Sequence, residues 1–299
     1  MKILLTGCSG FIGKVVLNEA IKKYGVNNIC VLSSRPLDKV LTIVHKGYNF
    51  LPDYFIKNGL IDINTIIHIG AFTPKNYNEE NDIIKCNSNI LNTEKLIFSE
   101  FPNLKKIIYT STIDVYNSDN VITEKTIESP ISLYGQSKLY CEKMISLFSK
   151  QKNVTYQILR LGHVFGPGEG NYKKIIPLSI TSLIKNNTIE LYGDGQSIRT
   201  FIYIDDVVKA ILKAIELTQS EGVINIVGDT PISMECLANI LLKIHKNKNA
   251  KIIYNPVHSH NYNLIFNNEK LKSKLLKNFT PIFSGLKNEY KYMKSNILE

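Results

Sequence analysis

Arginine is almost missing from this 299-residue chain: Arg35, Arg160 and Arg199 are the only three, although Lys plus Arg outnumber Asp plus Glu by 36 to 26. A nucleic-acid surface gathers its cations into one stripe with aromatic side chains between them. Here the lysines are dispersed, so the formal charge of +10 reads as a solvated face. It argues against a nucleic-acid partner and favours small anions. Cysteine is also scarce. Cys8, Cys30, Cys86, Cys141 and Cys236 are odd in number and widely spaced, with no Cys-x-x-Cys pair. Neither a disulfide framework nor a metal site is expected, and reduced thiols fit a cytoplasmic protein. No apolar run approaches the ~18 residues of a membrane span. Leu5-Thr6-Gly7-Cys8 has the look of a lipoprotein cleavage site, but only Ile3, Leu4 and Leu5 precede it. A signal peptide needs an apolar stretch of roughly 7–15 residues there. Repeats and low-complexity tracts are absent, and with 44% hydrophobic and 21% charged residues the composition is that of a core-bearing globular protein.

What the chain does have is an alternation. An apolar run at 2–6 stops at glycines, and Phe11–Lys23 then carries Ile12, Val15, Val16 and Ala20 at helical spacing. Asn28–Leu32, Thr65–Ile69, Lys106–Tyr109, Tyr156–Leu161 and a final Val223–Val227 read as buried strands, with helical segments at Asp82–Phe98 and Leu133–Phe148. Such alternation predicts an α/β fold, a Rossmann doubly wound parallel sheet with a smaller mixed C-terminal substrate lobe. The expected nucleotide-binding domain is 1–166, with 196–230 returning to it, and the lobe is 167–299.

Thr6-Gly7-Cys8-Ser9-Gly10-Phe11-Ile12-Gly13 lies between the first strand and the first helix. Gly7 permits the tight turn, Gly10 lets the backbone approach a pyrophosphate, and Gly13 lets helix and sheet pack closely. Placed there, the triplet predicts a dinucleotide site. The second strand ends Val31-Leu32-Ser33-Ser34-Arg35-Pro36, with no carboxylate before Asp38. Two hydroxyls and an arginine suit a 2′-phosphate, so Ser34 and Arg35 point to NADP, with NAD as the alternative. Cys8 within this loop reads as a small residue that fits.

Tyr134-Gly135-Gln136-Ser137-Lys138 sets tyrosine and lysine four apart, on one helical face. A phenol of pKa ~10 shuttles protons at neutral pH only when a nearby cation favours its anion. Ser111-Thr112 follows the strand Lys106–Tyr109, and the Thr112 hydroxyl would hold a substrate oxygen while Tyr134 moves the proton.

On these motifs the chain resembles the extended branch of the short-chain dehydrogenase/reductase superfamily, the NAD(P)-dependent nucleotide-sugar epimerases, dehydratases and reductases. The likeness runs from Lys2 to about Leu286 and includes Thr110–Tyr116, Arg160–Gly168, Leu191–Gly195 and Arg199–Asp206. It implies Thr112, Tyr134 and Lys138 as catalytic residues. It also implies Gly7, Gly10, Phe11, Ile12, Gly13, Ala71 and Asn89 on the cofactor side, and Thr73, His163, Tyr192 and Arg199 toward a nucleotide-diphosphate sugar. Asn92 stands where the family usually has glycine, and His163 where it commonly has asparagine. The family's adenine-contacting Gly-Asp-Leu segment has no counterpart near Gly47–Asp53. Relatives that dimerise through a helix pair imply a homodimer including Leu133–Phe148.

All three activities begin at the same hydride transfer. Dehydratases of the family follow the catalytic threonine with an acid and a base, but here Ile113 precedes Asp114 and dehydration is disfavoured. The NADP signal and the short chain point to a 4-keto-6-deoxy-sugar reductase, of the kind that includes CDP-abequose synthase. A 4-epimerase is the alternative, and a non-catalytic NADP sensor a remote one. His258-Ser259-His260 reads as a solvated loop.

Overall fold

Short runs of branched apolar residues form the sheet because burial on both faces rewards a continuous hydrophobic strand. The computed structural model describes residues 1–45, 47–48, 55, 57, 60–99, 101–118, 120–256 and 263–298. His258-Ser259-His260 and residues 49–53 of the adenine segment lie outside them. Strands β1 (Ile3–Thr6), β2 (Ile29–Ser33), β3 (Leu41–Val44), β4 (Thr65–His68), β5 (Lys106–Thr112), β6 (Thr155–Leu161) and β10 (Gly222–Ile226) form one sheet in the order β3-β2-β1-β4-β5-β6-β10. The pairings from β3 through β6 are parallel. This is the Rossmann order, and the strand order reverses between β1 and β4.

Helices α1 (Phe11–Tyr24), α2 (Ile83–Ile97) and α3 (Leu133–Lys152) connect these strands. The caps are legible locally. Asp82 accepts the Lys85 N–H at the start of α2, and Ser132 accepts the Gly135 N–H at the start of α3. Beneath one face of the sheet Leu4, Leu32, Ile66, Ile107, Ile145 and Phe148 belong to a single buried cluster.

The chain divides into two units. The first is Met1–Asn117, Ile127–Leu161 and Val208–Ile224; the second is Ser118–Thr126, Gly162–Val207 and Asn225–Glu299. The expected domains differ from these at three places. The break comes after Leu161, residues 118–126 belong to the second unit, and 208–224 rather than 196–230 return to the first. The second unit contains β7 (His163–Phe165), β9 (Ile198–Tyr203) and β11 (Pro231–Ser233) in one small sheet, and β8 (Thr188–Tyr192) beside β12 (Lys251–Asn255) in another. Its helices are α4 (Ile175–Asn186), α6 (Met234–His245), α7 (Glu269–Lys274) and α8 (Ile282–Leu298), and α8 packs on α4 and α6. Helix α5 (Ile204–Ala214) carries the chain from the second unit into the first.

Two strand expectations need correction. Val223–Val227 is matched by β10, but β11 and β12 follow it. Strand β5 runs on through Thr112, because Thr110, Ser111 and Thr112 continue the register against Leu159, Arg160 and Leu161. Polar residues ending an apolar run look like a turn until a partner strand claims their backbone.

The second unit contains an unusual buried pair. Glu169 is 1% exposed and Glu289, on α8, is 0% exposed. Glu169 Oε2 and both Glu289 oxygens are buried without a hydrogen-bond partner among the described residues. Burial raises both pKa values, and the charge of Glu169 raises that of Glu289 further. Lys174, with Nζ 3.6 Å from Glu169 Oε1, acts in the opposite direction, as does the Gly166 backbone. Tyr172 and Tyr203 also feel these carboxyls. The folded chain therefore binds more protons than the unfolded chain above the ordinary carboxylate pKa of about 4.3. Stability then falls as pH rises through the raised values. Replacing Glu289→Gln should flatten this decline and lift the alkaline melting temperature by roughly 2–4 °C or more. Thermal unfolding across neutral to alkaline pH checks this, and parallel wild-type and variant curves would refute it.

Candidate active site

Ligands bind such sheets outside the carboxyl ends of the strands at the reversal, where β1 and β4 end. Gly7 follows β1 with φ +75°, and a β-carbon there would lie 2.6 Å from the Gly70 nitrogen beyond β4. A β-carbon on Gly13 would lie 2.1 Å from the Gly7 carbonyl oxygen. Both glycines are required by close backbone approach. Gly10 is the N-cap of α1, without a side-chain cap and with no acidic residue in the first turn. The loop and first turn, including half-buried Phe11 and Ile12, thus present the positive end of the helix dipole to an anion. These residues fit a dinucleotide diphosphate. Cys8 is buried, and burial pushes its thiol up to about 12.

A polar chain that sequence reasoning did not find locks the two loops. The Gly70 N–H donates to Thr6 Oγ1 at 2.8 Å, Thr6 Oγ1 meets His68 Nδ1 at 2.7 Å, and His68 Nε2 meets Thr93 Oγ1 at 3.0 Å. Thr93 donates its proton to the Asn89 carbonyl, 2.7 Å away, so it accepts from Nε2–H and leaves Nδ1 to accept from Thr6. The ring is thereby neutral, in keeping with burial that lowers the His68 pKa to about 3. Asn89, expected on the cofactor side, is buried. Its Oδ1 accepts the Phe72 N–H at 2.7 Å, and its Nδ2 donates to the Phe72 carbonyl and to Ser137 Oγ, each at 3.2 Å. It shapes the loop in which Ala71 and Thr73 are exposed and ties that loop to α3.

Helix α3 delivers Tyr134 and Lys138. The Tyr134 N–H donates to the Glu80 carbonyl at 2.9 Å, and the Leu133 N–H to Asn81 Oδ1 at 3.0 Å. Gly135 brings the helix against the turn after β5, since a β-carbon there would lie 2.5 Å from the Asp114 carbonyl oxygen. Tyr134 and the Thr112 turn are neighbours for that reason. Lys138 is 2% exposed. Its Nζ donates to the Thr110 carbonyl at 2.7 Å and sits 4.3 Å from the centre of the Tyr109 ring. Burial lowers its pKa to about 8, opposed by the charges of Cys141 and Glu142.

Thr112 departs from expectation in detail. Its hydroxyl donates to Asp114 Oδ2 at 2.7 Å and accepts the Asp114 N–H at 3.2 Å. The proton reserved for a substrate oxygen is thus held by Asp114. Ile113 is buried and supplies no acid. Glu80 comes to the same helix end from another element, its pKa raised by partial burial and by the charge of Asp114. No spacing rule pairs Glu80 with Asp114, because loop and strand meet only through α3.

Ser34 and Arg35 are exposed just beyond β2, where the Arg35 N–H donates to Ser33 Oγ at 3.3 Å. The other expected residues belong to the second unit. His163, on β7, packs its ring 5.8 Å from that of Phe201, and Nε2 is buried without a hydrogen-bond partner among the described residues. Burial, with the charges of Lys174 and Arg199, lowers its pKa to about 3. Arg199, on β9, is half-buried and donates to the Ile198 carbonyl at 2.9 Å, while Tyr192 is 70% exposed. Among the described residues no three His, Cys, Asp or Glu side chains group as metal ligands, and no helix is long and apolar enough to cross a membrane.

The chain is similar to proteins with three different activities. It is 31% identical over 274 residues to the dTDP-D-glucose 4,6-dehydratase of Dictyostelium discoideum, covering 81% of this chain and 62% of that one. It is 24% identical to the dTDP-4-dehydro-6-deoxyglucose reductase of Escherichia coli, covering 91% of each. The UDP-glucose 4-epimerase of Thermotoga maritima, solved with UDP-glucose, shares the fold with a TM-score of 0.85 at 23% identity, over 99% of this chain and 100% of that one. A family model matches residues 3–227, and with the glycine cradle and the Tyr134–Lys138 helix in place the chain belongs to the NAD dependent epimerase/dehydratase family.

Proposed function

We propose that the protein reduces the C4 ketone of a nucleotide-activated 4-keto-6-deoxy-sugar with NADPH, in the cytoplasm, for bacterial surface-glycan biosynthesis. The end of β2 carries this reading. Ser34 and Arg35 stand exposed where an NAD site wants a carboxylate, and a consumed reductant is what a reductase requires. Gly7, Gly10, Phe11, Ile12 and Gly13 would hold the diphosphate and Ser34 and Arg35 the 2′-phosphate, with Ala71 and Asn89 on the cofactor side. When bound, NADPH supplies the hydride. Tyr134 gives the carbonyl oxygen its proton, and the Lys138 ammonium favours the resulting phenolate and holds the ribose. Thr112 orients the oxygen once Asp114 yields the hydroxyl proton. Thr73, His163, Tyr192 and Arg199 are assigned to the sugar nucleotide, with Arg199 on its diphosphate.

A 4-epimerase retaining NAD is the runner-up. Titrating NADPH and NADH side by side should show NADPH binding at least tenfold tighter, with Arg35→Ala erasing most of the difference. Equal affinity in the native protein would favour the epimerase. Tyr134→Phe should abolish NADPH oxidation by 4-keto-sugar nucleotides while cofactor affinity stays within about twofold, since the lost group acts on the transition state. Wild-type turnover in that variant would reject the assignment.

We also propose a homodimer. Ile84 and Leu91 on α2 with Phe98 at its C-cap, and Leu133, Tyr140 and Leu147 along α3, are exposed large apolar residues at seven-residue spacing. Two such stripes match a second copy of themselves across a two-fold axis. Tyr140→Asp should convert the dimer to a monomer in light scattering, and a native monomer would refute the interface.

A further inference from the structure

One guanidinium reaches three chain segments around the catalytic groups. Arg160, in β6, is 0% exposed. Its Nη1 donates to Tyr116 Oη at 2.6 Å, and its Nη2 to Glu128 Oε1 at 2.8 Å and to Glu142 Oε2 at 2.6 Å. Nε donates to Glu142 Oε1 at 3.0 Å. Tyr116 ends the turn that begins at Thr112, and its ring centre is 4.8 Å from the guanidinium carbon. Glu128 bridges to Tyr116 through an isolated β-bridge and precedes the Ser132 cap of α3. Glu142 lies one helical turn beyond Lys138 and two beyond Tyr134.

Such a network is weak evidence for stability, because well-packed hydrophobic residues often replace a buried ion pair without loss. What a planar fork adds is direction. We propose that Arg160 is a positioning residue whose fork sets the turn after Thr112 in register with the helix bearing Tyr134 and Lys138, and that Glu142 transmits this order to Lys138. The charges agree with the geometry. Burial opposes the Arg160 cation, but Glu142, Tyr116 and Glu128 together more than offset it and raise its pKa. Arg160 meets two carboxylates, and Glu128 also meets Lys143 Nζ at 3.3 Å on the exposed side. Glu142, 2% exposed and one helical turn from Lys138, raises the pKa of its ammonium against burial. Lys138 also meets the Thr110 carbonyl, the Tyr109 ring and the charge of Cys141, and its own charge acts on His68.

The inference rests on Tyr134 and Lys138 as the catalytic pair, so the test has one arm that needs no substrate. In protein carrying ¹³C at the lysine ε-carbons, Lys138→Arg identifies the Lys138 signal, expected to titrate near about 8. Glu142→Gln should lower that midpoint by about one unit or more. An unmoved midpoint in the folded variant overturns the role of Glu142, whatever the reaction proves to be. The second arm is Tyr116→Phe, which keeps the ring and removes one hydrogen bond. With NADPH and a 4-keto-sugar nucleotide, kcat should fall roughly three- to tenfold at unchanged cofactor affinity. Arg160→Lys keeps the charge without the fork and should not retain activity. Wild-type kcat in either variant overturns the proposal, and Tyr116→Phe decides it should Glu142→Gln not fold. Absence of turnover in the native protein with a shifted midpoint in Glu142→Gln would instead reject the proposed substrate and keep the positioning role.

Discussion

The whole site depends on backbone meeting backbone where no β-carbon fits. Gly7 touches Gly70, Gly13 touches Gly7, and Gly135 touches the carbonyl of Asp114. The first and third join segments distant in sequence, and all three lie within the unit that contains the sheet. The first two build an anion cradle from main-chain groups alone. The third lets the helix carrying the phenol and the amine settle beside the end of β5. Side chains then refine an arrangement that the glycines make possible.

Around these contacts several buried polar groups satisfy one another. His68 could have been a titrating group. Thr6 and Thr93 instead leave it one tautomer, and burial keeps it neutral. Lys138 gives its ammonium a carbonyl and an aromatic face, which compensates part of the cost of burying a cation. The same local economy explains Thr112, whose hydroxyl satisfies Asp114 through a turn of its own chain.

Much of this was legible in the sequence because the decisive signals are local. Glycines between a strand and a helix, a four-residue spacing on one helical face, and apolar runs of strand length all announce themselves within a few residues. That alternation predicts the parallel doubly wound sheet, while its edge strand β3 is not among the strands expected. What could not be read arises from pairing at a distance. Glu80 reaches Asp114 only through α3, Arg160 collects partners from two loops and a helix, and residues 118–126 join the second unit from the middle of the first. The extension of β5 through Thr112 belongs to the same class, since β6 supplies the partner that turns three polar residues into strand. Which of three related chemistries the site performs is also outside local pattern, because all three share the tyrosine and the lysine.

The burial of the cysteines has a chemical consequence of its own. Cys8, Cys30, Cys86 and Cys141 are enclosed, and Cys8 and Cys30 have thiols pushed up to about 12, whereas Cys236 is exposed on the first turn of α6. Electrophiles and oxidants act on thiolate, so the cradle is shielded from alkylation while Cys236 remains open to it. The native chain thus offers a single handle for a thiol-directed label, far in sequence from the phosphate loop and without any engineered change.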